Sequence, residues 1–266
     1  MTRLRSVDAE KRAQSGNGSD FSEALARGLT IVASFRHTRT TRTLSDIARH
    51  VDLPKAAVRR ALYTLVRLGY IDVEGRSYRL SPRILELATA YLTSDNVAAV
   101  VQPACDRVCA EVKQSCTVSV LDGSDVVMVA RALPGHLPSI GLGIGLRLPA
   151  YCSALGRVLL AALPDSQLDA ALATIEPQPV TPHTLVDPKR LRKTVLTSRR
   201  TGFSYADQEA ELGFRSIAVP LVRYDGTVVA AMNIGARIEA ATEQHMVGVF
   251  LPVLQRTSAE LQARLI

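Results

Sequence analysis

Apolar residues recur at helical spacing near the start of the chain. After a polar stretch over 1–20, which predicts a disordered tail, the segment 21–35 places apolar side chains three or four positions apart, as in an amphipathic helix. A short helix over 47–51, with a cap within 43–46, and a second helix over 55–69 are predicted around the tight turn 52–54, with Pro54 at the first position of the second helix. This spacing indicates a helix-turn-helix.

Alternating apolar residues follow directly and predict a β-hairpin. The segments 69–73 and 77–80 alternate like strands around the turn 74–76. A hairpin that follows a helix-turn-helix in sequence is typical of a winged helix-turn-helix domain, which we predict over 21–81. The next segment, 82–95, has apolar residues on one helical face and predicts a linker helix.

The remainder of the chain, 96–266, mixes helical and strand patterns. Two hairpins with helices alongside predict an α+β domain with an antiparallel sheet. The predicted elements are a helix over 96–114 that is broken or restarted near Pro103, strands over 117–121, 126–130, 217–222 and 228–234, and helices over about 153–163, 165–174, 187–201 and from Thr242 onward.

Length and composition fit this division. A chain of 266 residues exceeds the usual size of one domain, and 47% hydrophobic residues are typical of a globular protein. No apolar run approaches the ~18 residues of a membrane span, and 1–20 lacks the apolar core of a secretory signal, so we expect a cytoplasmic protein without a membrane partner. The four cysteines lack the spacing of zinc ligands. We therefore expect buried thiols, no metal and no cofactor.

Positive charge is concentrated in the predicted winged helix. The formal net charge is +7, and the segment 36–83 alone carries eleven Lys and Arg residues against four acids. A compact cationic module favours a polyanionic partner, because neutralising phosphates releases counterions. The charge pattern therefore points to nucleic acid.

The second helix of the pair concentrates these charges on one face. On a helical wheel the apolar residues occupy the opposite face. The polar face suits the major groove of a double-stranded DNA operator, and the wing would add contacts to backbone phosphates. The predicted DNA-binding residues are Lys55, Arg59, Arg60, Tyr63 and Arg67 on the helix, and Arg76 and Arg79 on the wing. A solvated basic face is the alternative interpretation of this helix.

Several segments together resemble a known family. They are "LSDIARHVDLPKAAVRRALYTLVRLGYIDVEGRSYRLSPRILEL" (44–87), "GLRLPAYCSALGRVLLA" (145–161), "GFSYADQEAELGFRSIAVPLV" (202–222) and "AAMNIGAR" (230–237). In this order they resemble the isocitrate-lyase-regulator (IclR) family of bacterial transcription factors. The resemblance implies that 96–266 binds a small-molecule effector and that the protein forms homodimers, or often tetramers.

The resemblance also implies where the effector binds. In family members that bind small carboxylates, the pocket lies between the sheet and the segment 147–157, and backbone amides at a helix N-terminus hold the acid group. The candidate effector-binding residues are Tyr151, Ser153, Ala154, Leu155, Asp207, Arg215, Ser216, Asn233 and Gly235. Ala206 and Gly235 stand where the family often has an acid and a serine. Fewer polar groups favour an aromatic or longer acid as the effector.

The segments "RLPAY.SALGRVLLA" and "AAVRRALYTLVRLGY" resemble the sequences of one branch of the family. That branch regulates the beta-ketoadipate pathway and responds to protocatechuate, 4-hydroxybenzoate or related acids. The resemblance implies a ligand-responsive regulator of aromatic acid catabolism. Three alternatives stay open: a regulator of another small-carboxylate pathway, an architectural DNA-binding protein, and an enzyme that uses Cys152, His136, His183 and Asp207. Because no nucleophile elbow or phosphate-binding loop occurs in the sequence, we predict no catalytic residue.

Overall fold

The computed structural model describes residues 20–35, 41–94, 96–135 and 143–265. The chain divides into two compact units, of which one ends at Ala90 and the other begins at Tyr91. The predicted tail over 1–20 lies, apart from Asp20, outside the described residues, as does His136. In the part that is described, no helix combines the length and the hydrophobicity needed to cross a bilayer.

The first unit is a winged helix-turn-helix, as predicted. Its elements in chain order are α1 (Glu23–Ser34), β1 (Arg42–Thr43), α2 (Leu44–His50), α3 (Lys55–Arg67), β2 (Ile71–Glu74) and β3 (Ser77–Leu80). The three strands form an antiparallel sheet in the order β1-β3-β2. Five aliphatic side chains, all at most 1% exposed, join the helices to the sheet: Ile31, Ile47, Val58, Leu62 and Ile71.

Local capping sets the start of α2, and the turn sets the start of α3. The Thr43 hydroxyl accepts a hydrogen bond from the amide of Asp46 and donates one to its carboxylate. The hydroxyl lowers the pKa of Asp46. The prediction that Pro54 occupies the first helical position is wrong by one residue: Pro54 has an extended ψ of 136° and precedes α3 as its N-cap.

A 3-10 turn (Pro82–Ile84) leads into α4 (Leu85–Ser94), which contains the division between the two units. The second unit then follows. Its elements are α5 (Asn96–Val112), β4 (Ser115–Asp122), β5 (Asp125–Ala132), β6 (Arg147–Pro149), a 3-10 turn (Ala150–Cys152), α6 (Ala154–Ala162), α7 (Asp165–Thr174), α8 (Pro188–Thr201), β7 (Ser204–Asp207), β8 (Phe214–Val222), β9 (Val228–Arg237), α9 (Glu243–His245), a π-helical turn (Met246–Phe250) and α10 (Leu251–Gln262).

The six strands of this unit form one antiparallel sheet in the order β6-β5-β4-β9-β8-β7. Helices cover both faces, so side chains that alternate along a strand enter two different cores. On β8, Ile217 and Val219 pack toward α5 and α10, whereas Ala218 packs toward α6. The predicted α+β class is thereby confirmed.

Two features of the second unit depart from the predictions. The break expected near Pro103 is absent, and α5 runs continuously from Asn96 to Val112. A proline removes one backbone hydrogen bond, and here the neighbours Val101, Ala104 and Cys105 are fully buried and hold the helix in place. The short strands β6 and β7 were not among the predicted strands, because three or four residues carry too little alternation to indicate a strand.

Candidate functional site

The first candidate surface is the outer face of α3. Over its thirteen residues this helix carries four cations and no acid. The predicted residues Lys55, Arg59, Arg60, Tyr63 and Arg67 are all exposed, and Tyr63 is 66% accessible. Val58 and Leu62 are buried on the opposite face. The helix therefore presents a cationic face about 20 Å long, and a helix diameter of about 10–12 Å fits the ~12 Å width of the major groove.

The two predicted wing residues differ in their surroundings. Arg76 lies at the exposed turn between β2 and β3. Arg79 is exposed too, but its guanidinium forms ion pairs with Asp72 (3.3 Å) and Glu74 (3.1 Å). Arg79 must therefore exchange these acids for a phosphate if it contacts DNA, whereas Arg76 is available at the tip.

The second candidate site is a cavity of about 460 Å³ in the larger unit. It lies between the α6 face of the sheet, the N-terminal end of α6 and the loop 208–213. Apolar side chains make up much of its wall: Met128, Leu146, Leu148, Leu155 and Phe214. Its volume falls within the range typical of small-molecule sites, about 300–1,000 Å³.

A group of polar side chains forms the floor of the cavity. Thr117 on β4 pairs with Asn233 on β9, and Ser216 on β8 pairs with Gly235, so neighbouring strands bring these polar positions to one face. The Asn233 side-chain oxygen is completely buried and accepts no hydrogen bond from any described residue. A buried polar atom without a partner is costly, so this position favours a ligand that donates a hydrogen bond.

The N-terminus of α6 closes one side of the cavity. The Ser153 hydroxyl accepts from the amide of Gly156 at 3.0 Å. The first two amides of the helix, of Ala154 and Leu155, lack intrahelical acceptors. This end of α6 therefore offers N–H groups and the positive end of the helix dipole to an anion.

A buried ion pair fixes this region. Arg157 donates to both carboxylate oxygens of Glu209, at 2.6 and 2.5 Å, and its Nε donates to the carbonyl of Tyr151 at 2.9 Å. The side chains of Arg157 and Glu209 are only 2% and 11% exposed. Glu209 also accepts from the amide of Leu185. The pair joins α6 to the loop that carries Glu209, and this loop lines the cavity.

The charges around the cavity leave it suited to an anion. Of the two acids in its wall, Glu209 pairs with Arg157, and Glu211 pairs with Arg237 at 3.1 Å. Arg131 also lines the cavity, and burial lowers the pKa of its guanidinium. An anion entering here would therefore meet a poorly hydrated cation and acids that are already neutralised.

Five of the nine predicted effector-binding residues line the cavity: Ser153, Leu155, Ser216, Asn233 and Gly235. The side chains of the other four do not. Tyr151 is buried elsewhere, and its hydroxyl donates to the carbonyl of Gln178 and accepts from that residue's amide. Ala154 is fully buried in the core around α6.

The remaining two predicted residues, Asp207 and Arg215, pair with each other at 3.1 Å. They alternate with Ala206 and Ser216, which line the cavity, so their side chains point to the other face of the sheet. Arg215 also donates to the carbonyl of Ala241. We therefore correct the candidate set by leaving out direct ligand contacts from Asp207 and Arg215.

The structure adds lining residues that sequence patterns did not indicate. Among these are Thr117, Met128, Glu209 and Phe214. Thr117 reaches the cavity through its pairing with Asn233, which lies more than a hundred residues later in the chain. The two-residue alternation along β4 shows which side chains share a face of the strand. It does not show which of the two faces meets α6, which depends on the fold.

The thiol suggested for an enzymatic alternative is poorly suited to nucleophilic attack. Cys152 is fully buried, and burial raises its pKa to about 11. A nucleophilic cysteine needs a lowered pKa to supply thiolate near neutral pH. His183 is exposed. All four cysteines are buried free thiols, as predicted.

Comparisons with known proteins agree with this architecture. Residues 24–75 match the IclR helix-turn-helix domain, and residues 89–263 match the domain described as bacterial transcriptional regulator IclR C-terminal. The Pca regulon regulatory protein of Pseudomonas putida is 39% identical to this chain, over 94% of it and 87% of that protein.

Two solved structures extend the comparison. One, from Rhodococcus sp. RHA1, is 40% identical with a TM-score of 0.80 and covers 92% of this chain and 98% of its own. Another is an IclR homologue of Microbacterium hydrocarbonoxydans in complex with 4-hydroxybenzoate, which is 27% identical with a TM-score of 0.75 and covers 90% and 98%. Both domains, their order and their sequences thus lead to one conclusion: this chain belongs to the IclR family of bacterial transcriptional regulators.

Proposed function

We propose that this regulator senses a one-ring aromatic carboxylate, such as 4-hydroxybenzoate or protocatechuate, and controls genes for the catabolism of aromatic acids. The observation that carries the proposal is the cavity, which has apolar walls, a polar floor and a helix N-terminus in the same space. The 4-hydroxybenzoate complex of the Microbacterium homologue and the similarity to the Pca regulon regulatory protein support this class of effector.

In this proposal the carboxylate of the effector binds at the N-terminus of α6, where Ser153 and Leu155 line the cavity, and accepts a hydrogen bond from the amide of Leu155. The helix dipole of α6 and the nearby guanidinium of Arg131 stabilise its charge. The ring lies among the apolar side chains of the wall, and a ring hydroxyl donates to the buried side-chain oxygen of Asn233. Ser216 supplies a second polar contact from the neighbouring strand.

DNA binding completes the proposed activity. The exposed cations of α3 enter the major groove, where Arg59 and Arg60 contact base edges, and Arg76 of the wing holds a backbone phosphate. The effector changes transcription only if it binds one arrangement of the protein more tightly than another. The protein acts by binding, without catalysis, and we place it in the cytoplasm with its operator.

We further propose that the protein works as a homodimer or a tetramer. Exposed apolar side chains four positions apart support association: Leu25 and Leu29 on α1, and Leu87 and Tyr91 on α4, are between 45% and 63% exposed. Clustered apolar residues on a helix face are typical of protein interfaces. Multi-angle light scattering on the purified chain gives the mass; a monomer at micromolar concentration would contradict this part of the proposal.

The test of the proposed effector is isothermal titration calorimetry on the full chain. We expect 4-hydroxybenzoate or protocatechuate to bind, and succinate, a carboxylate without a ring, to bind more weakly. Asn233→Leu should weaken binding of the hydroxylated acid by about 10-fold or more, because a buried hydrogen bond is lost. Asp207→Asn is the matched control, since that side chain lies on the other face of β7.

Two results would contradict the proposal. If neither aromatic acid binds the wild-type chain, the effector belongs to another class of carboxylate or the protein senses nothing. If Asp207→Asn weakens binding as strongly as Asn233→Leu, the ligand lies elsewhere than in the cavity.

A further inference from the structure

One contact in the cavity floor joins an aromatic ring to a glycine. The Phe214 ring lies directly over Gly235, and a Cβ placed on Gly235 would be 2.4 Å from Cζ and 2.8 Å from Cε1 of the ring. Both residues line the cavity. Non-bonded heavy atoms do not approach so closely, so only glycine fits at position 235 while the Phe214 ring stays in place.

Backbone conformation does not require this glycine. The glycines with positive φ in the described residues are in turns and helix ends, and Gly235 is not among them. It lies within β9, paired with Ser115 on one side and Ser216 on the other. Glycine weakens a strand interior, so a glycine here indicates close approach by another group. That group is the Phe214 ring.

The ring also changes the character of the floor. Ser115 donates to the carbonyl of Gly235 at 2.8 Å, which satisfies the polar backbone beneath the ring. An aromatic surface therefore lies beside the polar positions Ser216 and Asn233, where a larger side chain at position 235 would otherwise project. A ligand that forms hydrogen bonds with Ser216 and Asn233 therefore packs its apolar part against this ring.

We infer that Phe214, in the space left by Gly235, is the specificity-determining residue that makes the cavity prefer aromatic acids to saturated acids of the same size. The inference rests on the proposed function, because it takes the cavity as the effector site. Aromatic pairs in edge or offset contact gain affinity beyond simple burial of area. A saturated ring of equal size keeps the hydrophobic contact and loses this additional term.

The test compares two probes, 4-hydroxybenzoate and trans-4-hydroxycyclohexanecarboxylate, by calorimetry on the full chain. We expect the wild-type chain to bind the aromatic acid about 2- to 12-fold more tightly, the range that an aromatic pair supplies. Phe214→Leu keeps an apolar side chain and should bring this ratio of affinities close to one, mainly by weakening the binding of the aromatic acid. Phe203→Leu is the control, since Phe203 packs on the α5 and α10 face of the sheet.

A second pair of variants tests the contact itself. Gly235→Ser should displace the ring into the cavity, lowering both the Tm and the affinity for either acid. Phe214→Ala in the Gly235→Ser background removes the obstruction and should restore most of the Tm. If Gly235→Ser leaves Tm and binding unchanged, the ring does not occupy this position and the inference is wrong.

The outcomes separate the inference from the proposed function. If the wild-type chain binds neither probe, the proposed function fails and the inference fails with it. If the wild type binds the aromatic acid but the ratio is unchanged in Phe214→Leu, the cavity is still the effector site while Phe214 has no part in its selectivity. A ratio that falls in Phe203→Leu as well would also overturn the inference.

Discussion

Breaking the buried ion pair between Arg157 and Glu209 should destabilise the larger unit more than any exposed ion pair would. In Arg157→Met the carboxylate of Glu209 would keep one donor, the amide of Leu185, and lose two hydrogen bonds of 2.5–2.6 Å. The carbonyl of Tyr151 would lose its donor as well. Removing one partner from a buried pair costs about 3–5 kcal/mol, because the other charge remains away from water.

Urea denaturation followed by circular dichroism measures this loss, with thermal unfolding as a second probe. The matched control is Arg192→Met, which breaks the exposed pair between α8 and Asp169 and should change the free energy of unfolding little. The double variant Arg157→Met, Glu209→Leu removes both charges. It should be more stable than Arg157→Met alone, because no uncompensated charge is left buried.

The reasoning is refuted if Arg157→Met and Arg192→Met lower the free energy of unfolding equally. It is also refuted if the double variant is the least stable of the three, since the cost would then come from lost packing and not from an isolated charge.

Three further predictions follow from other parts of the molecule. Gly156→Ala should lower the free energy of unfolding by about 1–3 kcal/mol or more, because its Cβ would lie 2.2 Å from the carbonyl oxygen of Ala150. Gly248→Ala is the control, since a Cβ at Gly248 meets open space, and thermal unfolding of both variants measures the difference. Arg59→Ala and Arg60→Ala should each weaken operator binding by about 10-fold or more in fluorescence anisotropy, while the exposed Arg200→Ala on α8 should leave it unchanged. Burial raises the pKa of Cys152 from 9.0 to about 11, so the stabilising contribution of the neutral thiol is present below pH 9 and is lost as the pH rises through 11. Relative to Cys152→Ala, the wild type should lose up to roughly 3 kcal/mol of unfolding free energy over that range. Parallel pH dependence of the two proteins would contradict the prediction.

Local patterns predicted much of this fold because its elements carry their own signals. The cap at Thr43, the cationic face of α3 and the hairpin turn at 122–125 each depend on residues that are close in sequence. The wing between β2 and β3 was found for the same reason. Where structure is decided over a few neighbouring residues, the sequence was sufficient.

The composition of the cavity depends instead on distant residues. Alternation along β8 puts Arg215 and Ser216 on opposite faces, and nothing within that strand says which face meets α6. Both residues were therefore candidates, Ser216 from the resemblance and Arg215 as its cationic neighbour, and only Ser216 lines the cavity. Phe214 was missed because its contact with Gly235 joins two neighbouring strands, β8 and β9, and no pattern within either strand indicates it.

The most direct test of the whole account is fluorescence anisotropy of the purified chain on the DNA upstream of its own gene. The titration is made at fixed salt, against scrambled DNA, with and without 4-hydroxybenzoate and protocatechuate, because phosphate contacts make affinity depend steeply on salt. The account predicts tight binding to the upstream DNA, weak binding to the scrambled sequence, and a change in affinity for the upstream DNA when one of the acids is added. Equal binding to both DNAs, with no response to either acid, would contradict it.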